Sequence, residues 1–213
     1  MERSKRTVTA AILFLVIFHQ IGLVGLHLEE SRALFQMLTP LNLLLSVGVL
    51  GLFHRQWTSN FGIYAFAVFW AGYLVELVGV KTGVIFGVYQ YGGTLGPKVA
   101  DVPPMIGINW LMLAYSSGIL AQGLSSNLWL RTTLGAVFMV FLDILIEPVA
   151  MKLDFWTWQG GSIPLQNYFA WFVISWAMQY GFHSLHQEKS NPVAVPLYVV
   201  LLLFFGAFWV IGL

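Results

Sequence analysis

The chain contains no cysteine, which removes disulfides, thiolate nucleophiles and zinc–thiolate centres at once. Charge is scarce as well. Asp, Glu, Lys and Arg make up 9% of the 213 residues, against roughly a quarter in an ordinary soluble domain. A formal net charge of +1 gives a nucleic-acid partner nothing to bind. Gly92-Gly93 and Gly96 read as loop turns, and no glycine-rich nucleotide motif is present. The five histidines do not gather in one place, so neither a metal centre nor a metal oxygenase is expected. Residues 192–213 hold no lysine, so no retinal Schiff base can form in the last apolar run.

What the chain does have is apolar length. It is 58% hydrophobic, with a mean hydropathy of +0.78. The apolar runs are continuous and do not alternate, which excludes a β-barrel. We expect an all-α, polytopic transmembrane bundle of about seven helices, forming one domain over residues 1–213. The expected spans are 8–27, 38–53, 61–80, 104–124, 128–148, 167–185 and 193–212. The second is short and opens on Thr39-Pro40, a cap and first-turn pair. Asn127 is positioned to cap the fifth, which is expected to stop at Pro148. Asn191-Pro192 opens the seventh. The first run reads as an uncleaved signal anchor.

Two connections are long, 81–103 and 149–166, and with seven spans they fall on one side. Arg3, Lys5, Arg6, Arg55, Arg131 and Lys189 flank one face; Arg32, Lys81, Lys98 and Lys152 flank the other. The excess puts the N-terminus in the cytoplasm and the long loops outside, in a multi-pass protein of the cell membrane.

Glu76, Asn109, Asp143, Glu147 and Asn167 then lie at similar depth beside the long loops. Acids at membrane depth are costly and usually face a bundle interior or a wet cavity. Asp143 and Glu147 are four apart and share a helix face. Glu76 alone reads equally well as a hydrated interfacial acid. Asn167, Trp171, Ser175, Gln179 and His183 form a stripe suited to interhelical hydrogen bonding. His19 reads as a packing residue. Trp57, Trp129 and Trp209 suit an aromatic belt, whereas Tyr89/Tyr91 and Trp156/Trp158 lie in the loops next to the acids. Diphosphate chemistry would need a second acidic motif and clustered basic residues, and neither is present. Acid–base chemistry on a lipophilic substrate remains, or movement of ions or protons.

The segments around these residues carry a resemblance. They are Glu76 to Gly83 (ELVGVKTG), Phe86 to Tyr89, Tyr91 to Gly96, Pro103-Pro104 to Asn109-Trp110, Asp143 to Glu147-Pro148, Trp156-Thr157-Trp158, and Ile163-Pro164 to Trp171-Phe172. In this order they resemble the membrane carotenoid-biosynthesis proteins that include carotenoid 1,2-hydratases and archaeal bisanhydrobacterioruberin hydratases. The resemblance covers about the middle half of the chain. It implies addition of water to the terminal C1=C2 bond of an acyclic carotenoid, with no redox change and no cofactor. The partners it implies are the carotenoid and the lipid bilayer. A second copy of the chain or other carotenoid enzymes are further candidates.

On the matching positions, protonation at C2 gives a tertiary cation at C1, which water captures. Asp143 is the expected acid, with Glu147 or Glu76 tuning it or taking the proton from water. Lys81 is expected to pair with Glu76. Tyr89, Tyr91, Trp110, Trp156 and Trp171 offer π faces to the cation, and Asn109 and Asn167 orient the water. The alternatives are a carotenoid cyclase using the same protonation, a carotenoid-binding protein without enzymatic activity, and a proton-coupled carrier.

Overall fold

The computed structural model describes residues 4–185 and 189–212; Arg3 and Leu213, at the ends, lie outside the described residues. Seven helices run in chain order. They are α1 (Lys5–His27), α2 (Glu29–Phe53), α3 (Ser59–Thr82), α4 (Met105–Leu124), α5 (Leu128–Lys152), α6 (Leu165–Ser184) and α7 (Ala194–Ile211). The all-α bundle expected from the apolar runs is the observed architecture. Five helices (α1, α2, α3, α5 and α7) are long and apolar enough to cross a membrane. The other two, α4 and α6, carry polar residues on faces buried in the bundle. α4 lies at the centre and buries residues along its whole length, from Ile106 to Ala121, so its surface faces protein.

Caps set the helix starts. Ser4, Thr58 and Asn127 accept first-turn N–H groups of α1, α3 and α5. Two expected boundaries are corrected. α2 begins at Glu29, and Thr39-Pro40 lie inside it. The charged stretch Glu29-Glu30-Ser31-Arg32 had looked like loop. Its acids instead sit at the positive end of the helix dipole. Arg32 donates to the Leu26 and His27 carbonyls at 3.0 Å each, satisfying the end of α1. α5 likewise runs past Pro148 to Lys152.

The two long connections, separated by α4 and α5, meet at one end of the bundle. Tyr89–Tyr91 (β1) pairs antiparallel with Trp156–Trp158 (β2), in the register Tyr89 to Trp158 and Tyr91 to Trp156. Both segments alternate aromatic, polar, aromatic. Their pleat therefore puts all four rings on the buried face and leaves Gln90 and Thr157 exposed. The Leu153 carbonyl accepts from Thr94 (2.6 Å) and from Gln36 of α2 (2.8 Å), tying the ribbon to the bundle.

The stripe on α6 is buried at Asn167, Trp171, Ser175, Gln179 and His183. α6 packs most extensively on α5. Gln179 donates to the Ala114 carbonyl of α4 at 2.8 Å, as expected of interhelical bonding, whereas the Ser175 hydroxyl finds no partner.

Candidate active site

The ribbon lies over three carboxylates and supplies most of their hydrogen bonds. Glu76 is 4% exposed, and Asp143 and Glu147 are 1% exposed, so the reading of Glu76 as a hydrated interfacial acid is overturned. Glu76 Oε2 accepts the phenol O–H of Tyr89 at 2.5 Å and of Tyr91 at 2.7 Å. Its Oε1 accepts the Trp110 indole N–H at 3.0 Å. On the other side, Glu147 Oε2 accepts the indole N–H groups of Trp156 at 2.9 Å and Trp158 at 2.7 Å. Asn167 Nδ2 donates to Glu147 Oε1 at 3.1 Å and to Asp143 Oδ2 at 3.0 Å, joining the pair on α5. Asp143 Oδ1 is buried and has no partner.

Two glycines make room for this set. A Cβ on Gly72 would stand 2.6 Å from Cβ and Cγ of Trp110, so only glycine lets that indole reach Glu76 one turn further along α3. A Cβ on Gly79 would stand 2.7 Å from Phe86 and 3.0 Å from the Tyr89 hydroxyl. Trp171 of α6 stacks on Trp110, with centroids 3.8 Å apart and planes 15° from parallel. Burial, and then the charge of Glu76, push the Tyr89 and Tyr91 phenols well above their ordinary range. Both therefore remain hydrogen-bond donors at any physiological pH.

No basic side chain joins the cluster among the described residues, and the donors to its carboxylates are phenols, indoles and one amide. The expected Lys81–Glu76 pair is corrected. Lys81 leaves the end of α3 pointing outward and meets Asp101 at 2.5 Å, with both side chains largely in solvent. Glu76 faces inward, five residues away along the helix. Among the described residues, no group of three or more acidic or histidine side chains is placed to hold a metal ion.

A chamber of about 10 Å³ lies between the acids, walled by Glu76, Glu147, Asn167 and the aromatic rings. Beyond Ile106 and Trp156, which border both spaces, an apolar cavity of about 250 Å³ opens between α1, α2, α4 and α7. Its rim includes Ile21 and Leu38, both exposed on the outer surface. Asn109 lines this cavity and not the chamber between the acids, so it is not in the carboxylate cluster. His19 also lines this cavity, with Nδ1 held 2.8 Å from the Leu15 carbonyl.

The structure thus brings together nine of the expected site residues: Glu76, Tyr89, Tyr91, Trp110, Asp143, Glu147, Trp156, Asn167 and Trp171. It separates Lys81 and Asn109 from them. Trp158 was not among the expected site residues, yet it donates to Glu147 just as Trp156 does. Its signal was available in the period-two pattern of Trp-Thr-Trp, matched by Tyr-Gln-Tyr in the earlier loop.

A family described as "Carotenoid biosynthesis protein" matches residues 36–212. The chain is similar to a bisanhydrobacterioruberin hydratase of Haloarcula japonica, 35% identical over 111 residues. That match covers 47% of this chain and 37% of the relative, so this chain spans only part of the relative's length. No solved structure matches. With the family match running from α2 through α7 and taking in every carboxylate of the cluster, the chain belongs to the carotenoid biosynthesis protein family.

Proposed function

We propose that this chain is a cofactor-independent hydro-lyase that adds water across the terminal C1=C2 double bond of an acyclic carotenoid. The observation that carries the reading is the buried carboxylate cluster, satisfied by neutral donors and set beside an apolar cavity. An isolated alkene is a poor base and needs a positioned acid in a dry setting. A carotenoid end fits an apolar cavity that reaches the outer surface. At about 250 Å³ the cavity holds the end of the molecule and not its whole length.

In this reading Asp143 delivers the proton. Hydrogen-bond bookkeeping supports the choice. Each oxygen of Glu76 and Glu147 already accepts at least one donor, as a carboxylate does, and Asp143 Oδ1 is the one left free to carry a hydrogen. The proton goes to C2 and the C1=C2 π pair forms the new C–H bond. The tertiary cation at C1 is stabilised by the π faces of Trp156 and Trp171. Water adds its oxygen to C1 and loses one proton to the Asp143–Glu147 pair, which restores the acid. Ile106 and Trp156, standing between cavity and chamber, are the side chains the alkene end must pass.

Expression in a lycopene-accumulating host tests this. The hydratase reading expects a pigment heavier by one water. A pigment of unchanged mass and shifted retention means cyclisation, and an unaltered pigment pool refutes both.

A further inference from the structure

At the end of the bundle opposite the carboxylates, a cleft of about 940 Å³ lies where α4 ends, α5 begins and α6 ends. Two cations line it, Arg131 of α5 and Lys189 of the α6–α7 connection. Among the described residues, neither meets a carboxylate. Each satisfies one carbonyl at the end of α6. Arg131 Nη2 donates to His183 O at 2.8 Å, and Lys189 Nζ donates to Leu185 O at 2.6 Å.

Capping occupies one donor of each cation, and Lys189 Nζ also lies 5.1 Å from the centre of the Phe182 ring; the unpaired groups of the cleft are its neighbours. Among the described residues, Arg131 Nε, the Ser184 hydroxyl and both ring nitrogens of His183 are buried without a partner, and His183 is 2% exposed. Buried polar groups without partners are rare, and such a group is met by an ordered water, an ion or a ligand. Burial, and then the neighbouring Arg131 charge, pull the Lys189 ammonium down to about 8, so an anion between the two cations would relieve both.

The surroundings indicate where such an anion comes from. Trp129, Trp176 and Tyr180 stack on one another beside the cleft, with centroids 5.7 to 5.8 Å apart. Trp129 and Tyr180 face outward, 59% and 40% exposed. Stacked amphipathic rings of this kind sit at the headgroup level of a bilayer. Tyr180 also lines the cleft.

We propose that the cleft formed by Arg131, His183, Ser184 and Lys189 binds a phosphate-type anion, carried on the headgroup of a membrane lipid. This site is independent of the carboxylate cluster and of the reaction assigned to it.

The test uses the purified full chain in phosphatidylcholine nanodiscs. Phosphatidylglycerol is titrated in one arm and inorganic phosphate in another, with Tm and native mass spectrometry as readouts. Phosphatidylglycerol is expected to raise Tm and to remain bound. The apparent affinity should fall about fivefold for each cation removed in Lys189→Gln and Arg131→Gln/Lys189→Gln. Lys189→Gln alone serves if the double variant does not fold, since it keeps the bond from Arg131 to α6. A response to phosphatidylglycerol but not to inorganic phosphate supports a lipid carrier, and saturation by inorganic phosphate supports the anion site with a soluble ligand. Equal responses from wild type and variants overturn the proposal. So does a response that appears only in Glu188→Gln, since Glu188 would then be the native anion.

Discussion

Trp110 and Gly72 touch so closely that the indole occupies the space of an absent side chain, 2.6 Å from where a Cβ would be. Gly72→Ala must therefore push Trp110 off α3, away from Glu76 and out of its stack with Trp171. Overpacking of this kind costs about 1–3 kcal/mol. The expected result is a lower Tm with a changed tryptophan emission spectrum. An unchanged Tm would mean that Trp110 has another well-packed position.

With Asp143 as the proposed proton donor, Asp143→Asn preserves shape and removes the proton. Pigment hydration should fall by about 10²–10⁴-fold while the variant still inserts and folds. Glu147→Gln should be milder. The new amide keeps one oxygen for the Trp156 and Trp158 indoles and loses only the bond from Asn167, which still donates to Asp143. The two losses should not add, because the carboxyls share one amide. Reaction in deuterated water should place one carbon-bound deuterium at C2. Product alcohol without it would rule out protonation of the alkene.

Tyr91→Phe removes one of two phenol donors to Glu76 Oε2 and leaves a buried charge less well held. Hydrogen bonds to charged groups are worth about 1.5–3 kcal/mol. Stability should drop by an amount of that order, and Tyr89→Phe/Tyr91→Phe should lose more than either single change. Thermal unfolding of the three variants provides the comparison.

Lys81 is predicted to be dispensable. Its partner Asp101 is in solvent, and exposed pairs contribute little. Lys81→Ala should keep near-normal turnover, and its effect should simply add to that of Glu76→Ala. Lys81 holds the Asp101 carboxyl below its ordinary range. A group depressed on folding stabilises above its unfolded pKa, so the pair contributes at neutral pH and is lost only on strong acidification. A large coupling between positions 76 and 81 would contradict the geometry.

A reporter active only in the cytoplasm, fused after Leu213, should be silent if the basic N-terminal flank is inside and all seven helices cross. Strong activity there would mean that one helix does not span.

Much of this was legible in the sequence. Apolar length gave the helices. Spacing along α5 put Asp143 and Glu147 on one face, and the number of spans put the two long loops on one side. Local electrostatics misled at Lys81, because proximity along a helix end does not say which side of the helix each residue faces. Asn109 is one residue from Trp110, and on a helix that turn of about 100° carries it to a different cavity. The ribbon went unread because three-residue strands in separate loops carry only a faint alternation, and their pairing partner lies more than sixty residues away. The start of α2 was missed because charged residues at a membrane edge look like loop until their capping role is visible.

Glu76 and Glu147 are each followed closely in the chain by two of the side chains that hold them. Tyr89 and Tyr91 come 13 and 15 residues after Glu76, and Trp156 and Trp158 come 9 and 11 residues after Glu147. Synthesis proceeds from the N-terminus, so Glu76 has its two phenol donors before α5 is made, and Glu147 has its two indole donors within the loop that follows it; Trp110 of α4 and Asn167 of α6 add the remaining bonds. Two short segments, each already fastened to its own acid, then have only to zip together. The costly step of placing charge inside a membrane is thereby divided into two local steps, and neither waits for the whole bundle to assemble.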